Sequence, residues 1–191
     1  MARSLRCPHC QRPLARCYCA SLTPQPHAWP VRILQHAAEA RHALGTARIA
    51  ALGLRDCLLL PAHASPVPAG VLIYPGPDSQ PLSALLGTTP QPLIFLDATW
   101  RKSRRLLLES PELAALPRYQ LENPQPSRYR IRREPHAHAL STLEAIVQTL
   151  ELLEAAPGRH AALLQVMDAL VDEQITHMGE QTFRRNYRAQ D

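Results

Sequence analysis

Two groups of residues have types and spacings that could do chemistry. The first is Cys7, Cys10, Cys17 and Cys19, spaced C-x2-C-x6-C-x-C. Four thiolates match tetrahedral Zn²⁺ in a closed structural site. The stretch from Arg6 to Ala20 carries Pro8 and Pro13 and too little apolar content to fold on burial alone, so a metal would supply its folding energy. Loose thiols are one alternative. A redox pair at Cys7 and Cys10 is another, weakened by the absence of a preceding strand and by two further cysteines close by. Cys57 stands apart and reads as a small buried hydrophobe. The second group is Asp97-Ala98-Thr99-Trp100, directly after the apolar run Pro92 to Leu96. Ligands of α/β sheets bind at the carboxyl ends of strands, which puts Asp97 where chemistry usually happens. The alternative is an aspartate capping a helix that starts near Trp100. The indole could stack on a base or simply pack.

Charged residues add a candidate partner. The chain has 21 Lys and Arg against 16 Asp and Glu, a formal charge of +5, and Lys102 is its single lysine. Arginine is the better phosphate fork, so this balance suits a nucleic-acid partner. Arg101 and Arg104 belong to the cationic run 101–105, which could hold phosphates or form a solvated helix face. Arg128, Arg130 and Arg132 alternate, so on a strand they share one face, and Arg133 extends the charge. That arrangement is a phosphate stripe or an edge charged against aggregation. Ser141-Thr142-Leu143-Glu144 matches the S-x-x-E capping box, which also turns a helix dipole and free N–H groups toward a carboxylate ligand. His36 and Glu39 would share a helix face but lack a third ligand, and His136 and His138 are assigned nothing. Neither phosphate-cradling glycine loop occurs, nor a G-x-S-x-G elbow.

These groups need a scaffold. At 191 residues, 46% hydrophobic and 19% charged, the chain is globular and long enough for a core without disulfides. No apolar run reaches the ~18 residues of a membrane span, and Met1–Cys10 lacks the apolar region of a secretory signal. The 19 prolines predict many stiff turns. Residues 20–30 read as a linker. Strands are expected at Val31–Leu34, Cys57–Leu60 (buried), Gly70–Tyr74 and Pro92–Leu96, with extended segments at Tyr119–Leu121 and Tyr129–Arg132. Helices are expected at Ala37–Leu54, Trp100–Glu109, Ser141–Ala155 and Arg159–His177; Thr182–Asp191 reads only as basic and polar. Short apolar runs alternating with helices predict an α/β fold with a mostly parallel sheet covered on both faces.

Taken in order, C-x2-C-x6-C-x-C, His36-x-x-Glu39, Asp97-x-Thr99-Trp100, and Arg130-x-Arg132 followed by Ser141-Thr142-x-Glu144 make the chain resemble DTW-domain proteins, specifically the bacterial tRNA-uridine aminocarboxypropyltransferases. The resemblance runs from Cys7 to about Tyr187 and departs at Ala37, where the family usually carries proline. It implies a SPOUT-like sheet with a C-terminal trefoil knot, over residues 31–191, behind a zinc knuckle at 1–22. It implies a cytoplasmic enzyme acting on tRNA. The enzyme would move the 3-amino-3-carboxypropyl group of S-adenosylmethionine to N3 of a uridine, at variable-loop position 47, releasing 5′-methylthioadenosine. Asp97 aligns with the family's motif aspartate and would be catalytic. Tyr74, Pro75, Leu96, Thr99, Trp100, Ser141 and Thr142 would bind the cofactor, and Arg101, Arg104, Arg128, Arg130, Arg132 and Arg133 the RNA. A non-catalytic zinc-bearing RNA-binding module and a SPOUT-type RNA methyltransferase are the competing readings.

Overall fold

Parallel pairing with both faces covered explains why the strands read as continuous apolar runs rather than alternating ones. The computed structural model describes residues 5–40, 42, 44–131 and 139–187. Its strands are β1 (Val31–Gln35), β2 (Cys57–Pro61), β3 (Val71–Ile73), β4 (Gln80–Pro81), β5 (Leu93–Asp97) and β6 (Arg118–Gln120). They form one sheet in the order β2-β1-β5-β3-β6-β4, and every ladder in it is parallel. The helices are α1 (Ala47–Gly53), α2 (Trp100–Glu109), α3 (Pro111–Ala114), α4 (Thr142–Leu153), α5 (Ala161–Met178) and α6 (Glu180–Tyr187).

Strand parity sorts the core into two layers. Val31, Ile33, Val71, Leu93 and Phe95 meet α1, α4, α5 and Phe183 of α6, while Leu34, Leu72 and Ile94 meet Leu106 of α2 and Leu113 of α3. Cys7, Cys10 and Tyr18 join the first of these layers. Gly70 opens β3 at φ +149°, and a Cβ there would lie 2.2 Å from the Pro92 carbonyl oxygen. Only glycine lets the start of β3 come that close to β5.

Several expected elements change. The helix expected over Ala37–Leu54 shrinks to α1. Successive turns close there instead, with the amides of Glu39, His42 and Gly45 donating to the carbonyls of His36, Glu39 and His42. Glu39 is also drawn to Lys102 at 2.8 Å, a tertiary contact that competes with local helix propensity. His36 and Glu39 therefore share no helix face. The strand at Cys57 is an edge strand, with Leu58 49% exposed, because nothing pairs with its outer side in the sheet order. Residues 20–30 are packed rather than a free linker: Gln25 bridges Leu54 and Trp29 is buried. Residues 128–131 pair with no strand, and the basic tail includes α6.

Candidate active site at the carboxyl edge of the sheet

All strands run the same way, so their carboxyl ends share one edge. In-register pairing of β1 with β5 sets Gln35 beside Asp97 there. Leu96 belongs to the α2 layer, so Asp97, one residue on, falls on the α4 side. Asp97 is buried, and both carboxylate oxygens are engaged. The Gln35 amide donates to Oδ2 at 2.8 Å and the Thr142 hydroxyl to Oδ1 at 2.6 Å. The His36 amide donates to its carbonyl at 3.0 Å. Helix capping is not its task, because Thr99 is the N-cap of α2 and accepts from the Lys102 amide at 3.4 Å.

The first turn of α4 completes the arrangement. Ser141 caps the helix through the Glu144 amide, and the Glu144 side chain accepts from the Ser141 amide at 2.7 Å, closing the expected capping box. The same carboxylate takes the Ser127 hydroxyl at 2.9 Å and the Arg128 amide at 2.5 Å. Glu144 thus ties the segment around residue 128 to the helix that reaches Asp97. The positive end of the α4 dipole comes to this edge with Thr142.

Asp97, Ser141 and Thr142 are brought together. Leu96, Tyr74 and Trp100 gather on the other side of the sheet, with the two rings 5.6 Å apart. Burial raises the Tyr74 phenol above its ordinary pKa, against the pull of Arg104 and Arg118. Pro75 is exposed just past β3. Arg101 and Arg104 are exposed on α2. Arg128 and Arg130 are exposed too, but each meets an acid on α5: Asp168 and Asp172, one turn apart. Arg132 and Arg133 lie outside the described residues. Sequence reasoning missed Gln35, whose signal was a polar residue ending an apolar strand, and the Glu39–Lys102 pair, which had none. A cavity of about 620 Å³ lined by His27, Trp29, Thr88, Glu154 and Arg159 lies at the amino ends of β1 and β5. That is the wrong edge for a ligand of a parallel sheet.

The cysteines form a separate centre. Their four Sγ atoms lie within 4.8 Å of one another. The Cys7–Cys19 and Cys10–Cys17 separations are both 3.7 Å. A tetrahedron with Zn–S of about 2.3 Å has edges of about 3.8 Å, so the donor set fits zinc. The backbone amides of Cys10 and His9 draw the Cys7 thiol down to about 6, while burial pushes Cys19 up to about 12. Arg12 and Arg16 fasten the knuckle to Glu173 of α5, the latter at 3.1 Å.

The DTW domain model matches residues 4–175. The chain belongs to the DTW-domain family. The family match spans the cysteine centre, Asp97 and the start of α4 alike. Among curated relatives, tRNA-uridine aminocarboxypropyltransferase 2 of Drosophila melanogaster is 32% identical over 91% of this chain and 76% of its own length. The mouse protein of that name is 26% identical over 97% of this chain and 68% of its own. That of Macaca fascicularis is 28% identical over 92% and 65%. These DTW relatives are animal proteins, so the bacterial subgroup expected from the motifs is not what they bear out. No solved structure matches the chain. Among the described residues, no helix is long and apolar enough to cross a membrane.

Proposed function

We propose that this DTW protein is a tRNA-uridine aminocarboxypropyltransferase. What carries the reading is its 32% identity, over 91% of the chain, to a relative of that name. The buried carboxylate at the carboxyl edge supports it. S-adenosylmethionine, when bound, supplies an aminocarboxypropyl group on an already activated sulfonium. The chain's part is then mainly positioning. Asp97 would accept the N3 proton of the target uridine as N3 takes the aminocarboxypropyl carbon and the carbon–sulfur bond breaks, its electron pair leaving with the sulfur of 5′-methylthioadenosine. Gln35 and Thr142 aim the carboxylate, and both suit a group that changes protonation, since an amide can turn and a hydroxyl can accept. Tyr74, Leu96 and Trp100 offer an apolar and aromatic wall for the cofactor's adenosine, with Pro75 and Thr99 at its margins. The α4 N-terminus offers Thr142 and a positive dipole end to its carboxylate. Ser141 serves there through its cap. A target uridine at variable-loop position 47 would be exposed, as RNA readout requires.

The same proposal takes residues 1–22 as a zinc knuckle held by Cys7, Cys10, Cys17 and Cys19, and 31–191 as a SPOUT-like, C-terminally knotted transferase domain working on tRNA in the cytoplasm. Arg101 and Arg104 meet tRNA phosphates first. Arg128 and Arg130 each already carry an acid partner, and Arg132 and Arg133 extend the basic run beyond them.

The test is mass spectrometry of tRNA nucleosides after incubation with S-adenosylmethionine labelled separately in its methyl and carboxyl carbons. Carboxyl label in a uridine is expected. Methyl label would make the protein a methyltransferase, and no label a binding module. Metal analysis of protein purified without added zinc should give one equivalent, lost when Cys10 and Cys17 are replaced by serine.

A further inference from the structure

One cation of the sheet, Arg118, has no role in this reading. Arg118 opens β6, and its register with Leu72 sets it on the α2–α3 side of the sheet. There its guanidinium lies 5.8 Å from the centre of the Tyr74 ring. Arg104 lies one α2 turn beyond Trp100, whose ring is 5.6 Å from that of Tyr74. The Arg104 and Arg118 guanidiniums both pull the phenol's pKa down against the effect of burial.

Arg101 apart, the neighbouring cations have acid partners among the described residues. Lys102 has Glu39, Arg105 has Glu109, Arg128 has Asp168 and Arg130 has Asp172. Arg104 and Arg118 form no ion pair among the described residues. The Nε of Arg118 is buried and has no hydrogen-bond partner among those residues either. Buried donors are normally satisfied, so an acceptor from outside the chain would complete this one.

The ligand is an oxyanion, since two guanidiniums present paired N–H forks to it. Two cations exceed what one amino-acid carboxylate, carrying its own ammonium, would neutralise. Exposed Arg101 also continues the cationic surface along α2. Asp97 lies on the opposite side of the sheet and two strands away, on the order of 10 Å. An RNA strand, with a phosphodiester beside every nucleotide, spans that separation. We infer that Arg104 and Arg118 bind a phosphodiester of the RNA substrate, next to the nucleotide presented to Asp97. This inference rests on the reading of the substrate as tRNA.

The experiment measures unmodified tRNA binding across a salt series for wild type, R104Q, R118Q and R105Q, with S-adenosylmethionine binding measured in parallel by calorimetry. Each phosphate contact contributes roughly 0.9 to the slope of log K on log salt. R104Q and R118Q should each flatten that slope by about 1 and leave cofactor affinity unchanged, while R105Q, whose partner is Glu109, should match wild type. Unchanged slopes for R104Q and R118Q would overturn the assignment. So would weaker cofactor binding at constant slope, which would make the anion the cofactor's carboxylate, or equal flattening by R105Q, which would make it general surface charge. If wild type binds RNA with the expected slopes but modifies no tRNA, the enzymatic reading fails and the phosphate site stands. If wild type modifies tRNA while both variants keep its slope, the phosphate site fails alone.

Discussion

Two buried carboxylates, Asp97 and Glu144, flank the first turn of α4 and are held in opposite ways. Asp97 receives a side-chain amide and a hydroxyl, from Gln35 and Thr142. Either donor can reverse its role when the carboxylate gains a proton or becomes an amide. Glu144 receives two backbone amides, of Ser141 and Arg128, besides the Ser127 hydroxyl. A backbone N–H only donates, so Glu144 must remain an acceptor. Burial is shared by both carboxylates; the kind of donor around each is what differs, and only Asp97 has partners free to follow a change of protonation.

The sharpest way to break this comparison is D97N. Loss of a general base costs roughly 10²- to 10⁴-fold in single-turnover tRNA modification. The melting temperature should stay near that of wild type, because Gln35 and Thr142 can turn to meet the new amide. Near-normal turnover would remove Asp97 from the chemistry.

T142V comes next. It deletes one donor to Asp97 while Ser141 still caps α4. A hydrogen bond to a charged group contributes about 1.5–3 kcal/mol, so turnover should fall about tenfold or more with little thermal effect. A drop in melting temperature with normal turnover would make Thr142 structural.

E144Q should invert the pattern. Its amide would turn N–H groups toward fixed N–H donors, at a cost of about 1–3 kcal/mol of stability in denaturant titration. Turnover well below the melting temperature should stay within severalfold of wild type. Lost turnover at unchanged stability would put Glu144 in the same class as Asp97.

R128Q has the smallest expected effect. Glu144 holds Arg128 by its backbone amide, and the exposed pair with Asp168 contributes about 0–1 kcal/mol. Stability should barely move, and the salt slope of tRNA binding should change by well under 1. A full unit of slope would restore the alternating arginines as phosphate contacts.

Much of this molecule was legible beforehand, and the reasons differ by element. The strand ending at Asp97, the helix Trp100–Glu109 and the capping box were readable because short-range rules fix them: an apolar run between turn signals, an N-cap, a spacing of three. The fold class followed from apolar runs alternating with helices. The helix expected over Ala37–Leu54 starts only at Ala47, because turns closed by the amides of Glu39, His42 and Gly45 and the bond from Lys102 to Glu39 override the helix preference of the alanines before it. Of the alternating arginines, Arg128 and Arg130 meet acids on α5 about forty residues later, which spacing cannot reveal.

By itself, the sequence determined the four cysteines that gather near the N-terminus, the apolar runs that become strands, the place of Asp97 at the end of one of them, and the family to which the chain belongs. Each follows from neighbouring residue types, whose chemistry and periodicity hold before the chain folds. Only the tertiary structure decided that Gln35 and Thr142 hold Asp97, that Glu144 serves two segments, and which arginines have acid partners. These depend on strand order and on which layer each side chain enters, so they join residues far apart in the chain, Gln35 and Asp97 at 62 positions and Arg12 and Glu173 at 161, that meet only in the folded protein.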